Sequence, residues 1–139
     1  MKRYEHTQVG YLVITAMTAT LILIGIVLAN AGMNWIAIAV SIIIGVALLL
    51  FSSLTVVIWE DELEIRFGPG LIRKKFKLRD IESYQVIKNP WYYGWGIHLT
   101  PHGWLYNVSG FYAVEIKLKT GTKYRIGTDA PHELEKAIQ

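Results

Sequence analysis

Two long apolar runs open the chain, Val9 to Ala29 and Trp35 to Ile58, with only Asn30–Asn34 between them. No Asp, Glu, Lys, Arg or His occurs from Gln8 to Trp59. A bilayer core of roughly 30 Å is crossed by about 20 apolar residues in a helix, and each run reaches that length. The pattern predicts a membrane α-helical hairpin of two transmembrane helices, occupying residues 1–58 together with a short N-terminal tail. Met1-Lys2-Arg3 has the charge of a signal-peptide start, but a run of 21 residues is too long for a cleavable apolar segment, and a second run follows at once. Both helices are expected to be retained.

From Thr55 the pattern changes to period two. Glu62 to Phe67 alternates strictly, the mark of a half-buried strand, and Gly68-Pro69-Gly70 supplies the residues of a tight turn. Ile72 to Leu78 alternates again, and Ile81 to Ile87 reads as a further strand. After the break at Asn89-Pro90, Ile97–Thr100 and Trp104–Val108 flank a turn at Pro101-His102-Gly103. Ala113–Lys119 and Thr122–Ile126 flank Thr120-Gly121, a hairpin signal. Asp129 is placed to cap a helix with Pro131 and Glu133 in its first turn, running to about Ile138. Six or seven short strands closed by one helix predict a small all-β barrel or bent sheet over residues 59–139. No Gly/Ser linker separates it from the second apolar run.

A strand leaving a spanning helix, the Glu60–Ile87 segment EDELEIRFGPGLIRKKFKLRDIESYQVI and the terminal helix together resemble the bacterial pleckstrin-homology-like (PH-like) family. Its members are membrane-anchored, with one or two spanning helices before a PH-like barrel. The resemblance covers the whole chain and implies a seven-stranded bent sheet with a C-terminal helix. It implies a binding or assembly module, not an enzyme. Phosphoinositide-binding PH domains carry basic residues around their first inter-strand turn. Here Trp59-Glu60-Asp61-Glu62 stands there and would repel phosphate, so inositide recognition is not carried over.

Charge orients the hairpin. Lys2 and Arg3 precede the first run, the connecting loop is uncharged, and Arg66, Arg73, Lys74, Lys75, Lys77 and Arg79 follow the second. The Lys/Arg bias then puts both termini on the cytoplasmic side of the cell membrane and the Asn30–Asn34 turn outside. Trp35 and Trp59 bracket the second run as interface anchors. Small residues at four-residue spacing, Ala16 and Thr20, Gly25 and Ala29, and Ala37, Ser41 and Gly45, permit close helix packing. They serve either the hairpin itself or a homo-oligomer. With no ionisable group in either run, the hairpin reads as an anchor and not a conducting path.

Beyond residue 59 the charge excess is only +2, from twelve basic and ten acidic residues, which gives no nucleic-acid signature. The absence of cysteine excludes disulfides and thiolate sites. His98 and His102 lie four apart across a turn, which does not make a metal site, and no cofactor motif or catalytic signature occurs. Asn107-Val108-Ser109 matches a glycosylation acceptor but falls on the cytoplasmic side. Two surfaces remain. Arg73, Lys75, Lys77 and Arg79 share one strand face and suit the anionic leaflet or an acidic partner. Trp91, Tyr92, Tyr93 and Trp95 suit the bilayer interface or a protein contact. The expected function is recruitment or organisation of protein partners at the cytoplasmic membrane face. The alternatives are a sensor of anionic lipid surface and an accessory subunit of a larger membrane enzyme or transporter.

Overall fold

The first strand lies where the hydrophobic pattern predicts only a tail. In the computed structural model, which describes residues 2–139, β1 (Tyr4–Val9) pairs antiparallel with β2 (Ser53–Ile58). The register runs from Tyr4 opposite Ile58 to Val9 opposite Ser53. Helices α1 (Tyr11–Ala31) and α2 (Trp35–Phe51) are inserted between these two strands. The helical hairpin therefore takes the place of a β-hairpin turn.

This topology corrects the second apolar run. Its helix ends at Phe51, and residues 53–58 are a strand rich in β-branched side chains, paired on both sides with β1 and β3 (Glu62–Phe67). The change was hidden because Ser53 and Thr55 carry no charge and Val56-Val57-Ile58 continue the apolar run, so the alternation of this strand is short and weak. Among the described residues, only α1, with 21 residues and mean hydropathy 2.6, passes the length-and-composition test for a membrane-crossing helix; α2 is a shorter apolar helix of 17 residues. The side chain of Asn34 caps α2, accepting from the amides of Ile36 (2.9 Å) and Ala37 (3.2 Å).

Within the hairpin, α1 turns Ile14, Met17, Leu21, Ile24 and Leu28 toward α2, at helical spacing. Ala37, Ser41 and Gly45 are half-buried on α2, whereas Ala16, Thr20, Gly25 and Ala29 face outward on α1. A Cβ added at Gly25 or Gly45 would meet nothing within 4 Å. The half-buried face of α2 mixes these small residues with Ile38, Ile44 and Leu48, Gly45 keeps open space beside it, and the small residues of α1 take no part.

The rest forms two sheets and a helix. β4 (Ile72–Lys77) completes a four-stranded antiparallel sheet in the order β1-β2-β3-β4. The second sheet contains β5 (Ile81–Lys88), β6 (Gly96–Thr100), β7 (Gly103–Asn107), β8 (Tyr112–Leu118) and β9 (Lys123–Gly127). Its order is β5-β8-β9-β7-β6, with β7 and β9 parallel. Among the described residues, nine strands in two sheets stand where the resemblance implies seven. Inward alternation builds the core: Leu54, Val56 and Ile58 of β2 and Leu63, Ile65 and Phe67 of β3 meet Val114, Ile116 and Ile126. The last helix, α3 (Pro131–Ile138), closes the core with Leu134 and Ile138. Asp129 does not cap it: Ala130 holds that position, and the Asp129 carboxylate bonds the His6 ring on β1 instead.

Candidate functional site

Both stems of the hairpin meet the sheets at one place. The Gly10 amide bonds the Ser52 carbonyl at 2.7 Å, and a Cβ at Gly10 would lie 3.0 Å from the Phe51 carbonyl oxygen. Gly68, in the turn between β3 and β4, sits under the last turn of α2. A Cβ there would come within 2.4 Å of the Leu49 carbonyl oxygen, and its φ of +52° already favours glycine. From β1, the Gln8 side-chain amide donates at 2.9 Å to the Ser109 carbonyl, in the loop between β7 and β8 of the other sheet. The 107–111 loop is thereby drawn to the same end of the body. Asn107 is buried there, donating to Gly110 and accepting from Val108 and Ser109, so its acceptor motif is inaccessible.

The aromatic segment is anchored beside that loop. Asn89 donates its amide to the Phe111 carbonyl at 2.7 Å, and the Trp95 indole donates to the Gly110 carbonyl at 3.0 Å. Beneath it lies a buried network on the outer face of the second sheet. Arg125 donates to Asn89 at 2.9 Å and pairs with Glu115 at 3.4 Å, while Gln85 donates to Glu115 at 2.9 Å. Burial works against ionisation of Glu115, but the Gln85 bond and the Arg125 charge outweigh it and hold the carboxyl below its ordinary value. The Arg125 guanidinium lies 5.8 Å from the Tyr93 ring centroid, and the Tyr93 hydroxyl bonds His102 Nδ1 at 2.6 Å. His98 bonds the Trp95 carbonyl. Both histidines are thus committed to this segment.

The four aromatic candidates divide into two pairs. Tyr93 and Trp95 are half-buried and tied down, whereas Trp91 and Tyr92 are 75% and 67% exposed. Trp91 shares an apolar groove of about 450 Å³ with Pro90 and Phe111, and Leu71 in the β3–β4 turn is 77% exposed. The end that carries the hairpin therefore also carries exposed aromatic and aliphatic side chains.

The basic candidates are spread along a strand. Arg73 lies opposite Arg66, which lies opposite Thr55, two residues past Ser53. At about 3.3 Å per residue this is roughly 7 Å from the end of the hairpin. Lys77 lies opposite Glu62, beyond the Leu63–Ile58 pair, roughly 20 Å away. Lys75 pairs at 3.6 Å with buried Glu64, which Arg66 also bonds. Burial of Glu64 opposes its charge, yet these cations keep its carboxyl below the ordinary value. Arg79 is not on the strand: β4 ends at Lys77 and Arg79 lies in a 3₁₀ turn, Leu78–Asp80. The expected four-residue basic face is therefore three residues long. Lys77 and Arg79 line a depression of about 460 Å³ with Glu60, Asp61 and Glu62 at the far end.

Trp59 moves with this geometry. It follows β2 at the end remote from the helices, with Lys2 5.8 Å from its ring centroid, so it does not flank α2 as expected. Trp35 does, as the first residue of α2, and it is exposed. Lys74 belongs to the expected basic cluster but lies on the other face of β4 from Arg73, Lys75 and Lys77, and Trp104, Tyr106, Tyr124 and Phe111 were not among the expected site residues. The alternation of Lys74 with Phe76, and of Trp104 with Tyr106, was the available signal. Which gap these side chains line depends on how the two sheets meet. Comparison with known protein families, with curated proteins and with solved structures finds no match to this chain.

Proposed function

We propose that this chain is a two-pass membrane-anchored module of PH-like type that recruits or organises protein partners at the cytoplasmic face. One observation carries the reading: the helical hairpin grows out of two adjacent, paired strands, with Gly10 and Ser52 bonded at the junction. A body joined to its anchor by two stems and no linker is held at fixed height and orientation. At 1.5 Å per residue α2 is about 26 Å long, a few ångströms short of a roughly 30 Å bilayer core, and the apolar residues that follow it make up the difference, with Trp35 at headgroup level. Exposed Trp91, Tyr92, Phe111 and Leu71 at the junction end seat the body on the interface, where such rings are favoured. That leaves the far end, with Glu60, Asp61, Glu62, Lys77 and Arg79, facing the cytoplasm for protein contacts. Lys77 stands roughly 12–15 Å beyond the headgroup layer, more than one Debye length of roughly 8 Å, which favours a protein partner at this end over lipid.

Topology is tested with single cysteines in a chain that has none. Met33→Cys is expected to label from outside whole cells with an impermeant maleimide, and Thr120→Cys only after permeabilisation; labelling of both from outside sinks the orientation. A photo-crosslinking residue at Arg79, in native membranes, is expected to give one stoichiometric adduct with a second protein. A purely monomeric pattern at Arg79 and at Glu62 removes partner recruitment.

A further inference from the structure

The two sheets leave a gap between their outer strands. β4 ends one sheet and β6 the other, and between them opens a cleft of about 400 Å³. Its floor is aromatic, made by Phe67, Tyr106 and Tyr124, with Trp104 on the β7 side. Phe67 and Tyr106 lie 6.1 Å apart, and Tyr106 stacks on Tyr124 at 6.1 Å. The rim carries Lys74 and, reaching round from the opposite face of β4, Arg73, whose charge also acts on Glu64. The Lys74 ammonium is held 5.6 Å from the Tyr124 ring centroid and 5.8 Å from that of Phe76, yet the residue is exposed. Arg73 spends one N–H on the Gly70 carbonyl, one of five donors that a guanidinium offers.

Charge and height together select the occupant. An apolar floor under a cationic rim takes an amphiphile with an anionic head. Phe67 packs edge-on against Phe51, the last residue of α2, at 5.3 Å, so the floor begins where the helix ends. Arg73, roughly 7 Å further along the strands, falls within the polar layer of one leaflet, about 5–8 Å deep. We propose that the β4–β6 cleft binds one anionic glycerophospholipid of the surrounding leaflet, with its phosphate on Arg73 and Lys74 and its glycerol end on the Phe67–Tyr106–Tyr124 floor. This rests on the reading that the hairpin spans the bilayer. Two surface cations are together worth roughly a thirty-fold preference for anionic over zwitterionic lipid.

The full-length chain, labelled with 5-fluorotryptophan, is placed in phosphatidylcholine nanodiscs with a rising fraction of phosphatidylglycerol and followed by fluorine NMR. Trp104→Phe and Trp91→Phe variants assign the two resonances. The Trp104 resonance is expected to move and saturate. Arg73→Gln with Lys74→Gln is expected to weaken that response at least tenfold, while the charge-preserving pair Arg73→Lys with Lys74→Arg retains it. Indifference of Trp104 to phosphatidylglycerol overturns the site, as does an equal response in the glutamine pair. Reaching the same end point with soluble glycerol 3-phosphate in pure phosphatidylcholine also overturns it, because the ligand is then a free anion. A paramagnetic headgroup lipid reports on Trp91 separately. If Trp91 is not broadened while Trp104 still responds, the cleft stands and the aromatic seating falls.

Discussion

The two ends of the β body are built from opposite materials. At the hairpin end, glycine permits backbone to touch backbone, a buried ionic network props up the aromatic segment, and Trp91, Tyr92 and Leu71 stand exposed. At the far end, Glu60, Asp61, Glu62, Lys77 and Arg79 surround a depression. The same strands connect the two, so the contrast lies in the turns and loops at each end. Exposed rings are costly in water and favoured in a headgroup layer, whereas mixed charges are cheap in water and screened. Substitutions at the hairpin end should therefore disturb stability and seating, and those at the far end should leave both nearly untouched.

The largest effect is expected from Arg125→Ala. Removing one member of a buried pair leaves Glu115 uncompensated and typically costs about 3–5 kcal/mol. It also takes away the hydrogen bond to Asn89 and the cation beneath the Tyr93 ring. Thermal unfolding of the full chain in detergent should show the loss, and faster hydrogen exchange over residues 89–95 should localise it. Unchanged exchange there would detach the network from the aromatic end. Gly68→Ala comes next, at roughly 2–3 kcal/mol. A positive φ is worth about 1–2 kcal/mol to an L-residue, and the added Cβ meets the α2 backbone 2.4 Å away. The same substitution at Gly121, where φ is +93° but nothing lies within 4 Å, should cost only the backbone part.

Acid should act through the buried carboxylates. The folded pKa of Glu115 lies below its ordinary 4.5. Its contribution is therefore complete above pH 4.5 and is lost as the pH falls through the lower folded value. A Glu115→Gln chain should be less stable at neutral pH and lose less between pH 5 and 3 than the parent. Trp91→Ser with Tyr92→Ser should change stability by less than about 1 kcal/mol, since both rings are exposed, yet reduce quenching of tryptophan fluorescence by brominated lipid. Smallest of all, Lys77→Gln with Arg79→Gln should shift stability within about 0.5 kcal/mol and leave lipid quenching unaltered. A large change in that quenching would erase the distinction between the ends.

Much of the fold was legible along the chain. Strict alternation marked Glu62–Phe67, and the Pro101–Gly103 and Thr120–Gly121 turns placed the strand pairs around them within a residue or two. Two strands escaped for opposite reasons. Residues 53–58 are uncharged, with Ser53 and Thr55 as their polar positions, and merged with the apolar helix before them, whereas Tyr4–Val9 alternates weakly and gains its structure by pairing with β2. The candidate surfaces were legible as residue types and not as places. Arg73 and Lys77 look equivalent in sequence but stand roughly 13 Å apart along β4. Tyr93 and Trp95 look as available as Trp91 and Tyr92, yet each is held by a hydrogen bond.

The sequence by itself determined the apolar hairpin, the period-two body and the terminal helix, because local hydrophobic spacing and turn chemistry act over a few residues and need no partner. Only the tertiary structure decided that the hairpin interrupts a strand pair, that the aromatic groove stands beside its stems, and that Phe67, Tyr106 and Tyr124 share a cleft with Arg73 and Lys74. Those juxtapositions join residues tens of positions apart, through pairing and packing that no local pattern encodes. The apolar runs specify a helical hairpin, and the fold around their ends determines which side chains stand beside its stems.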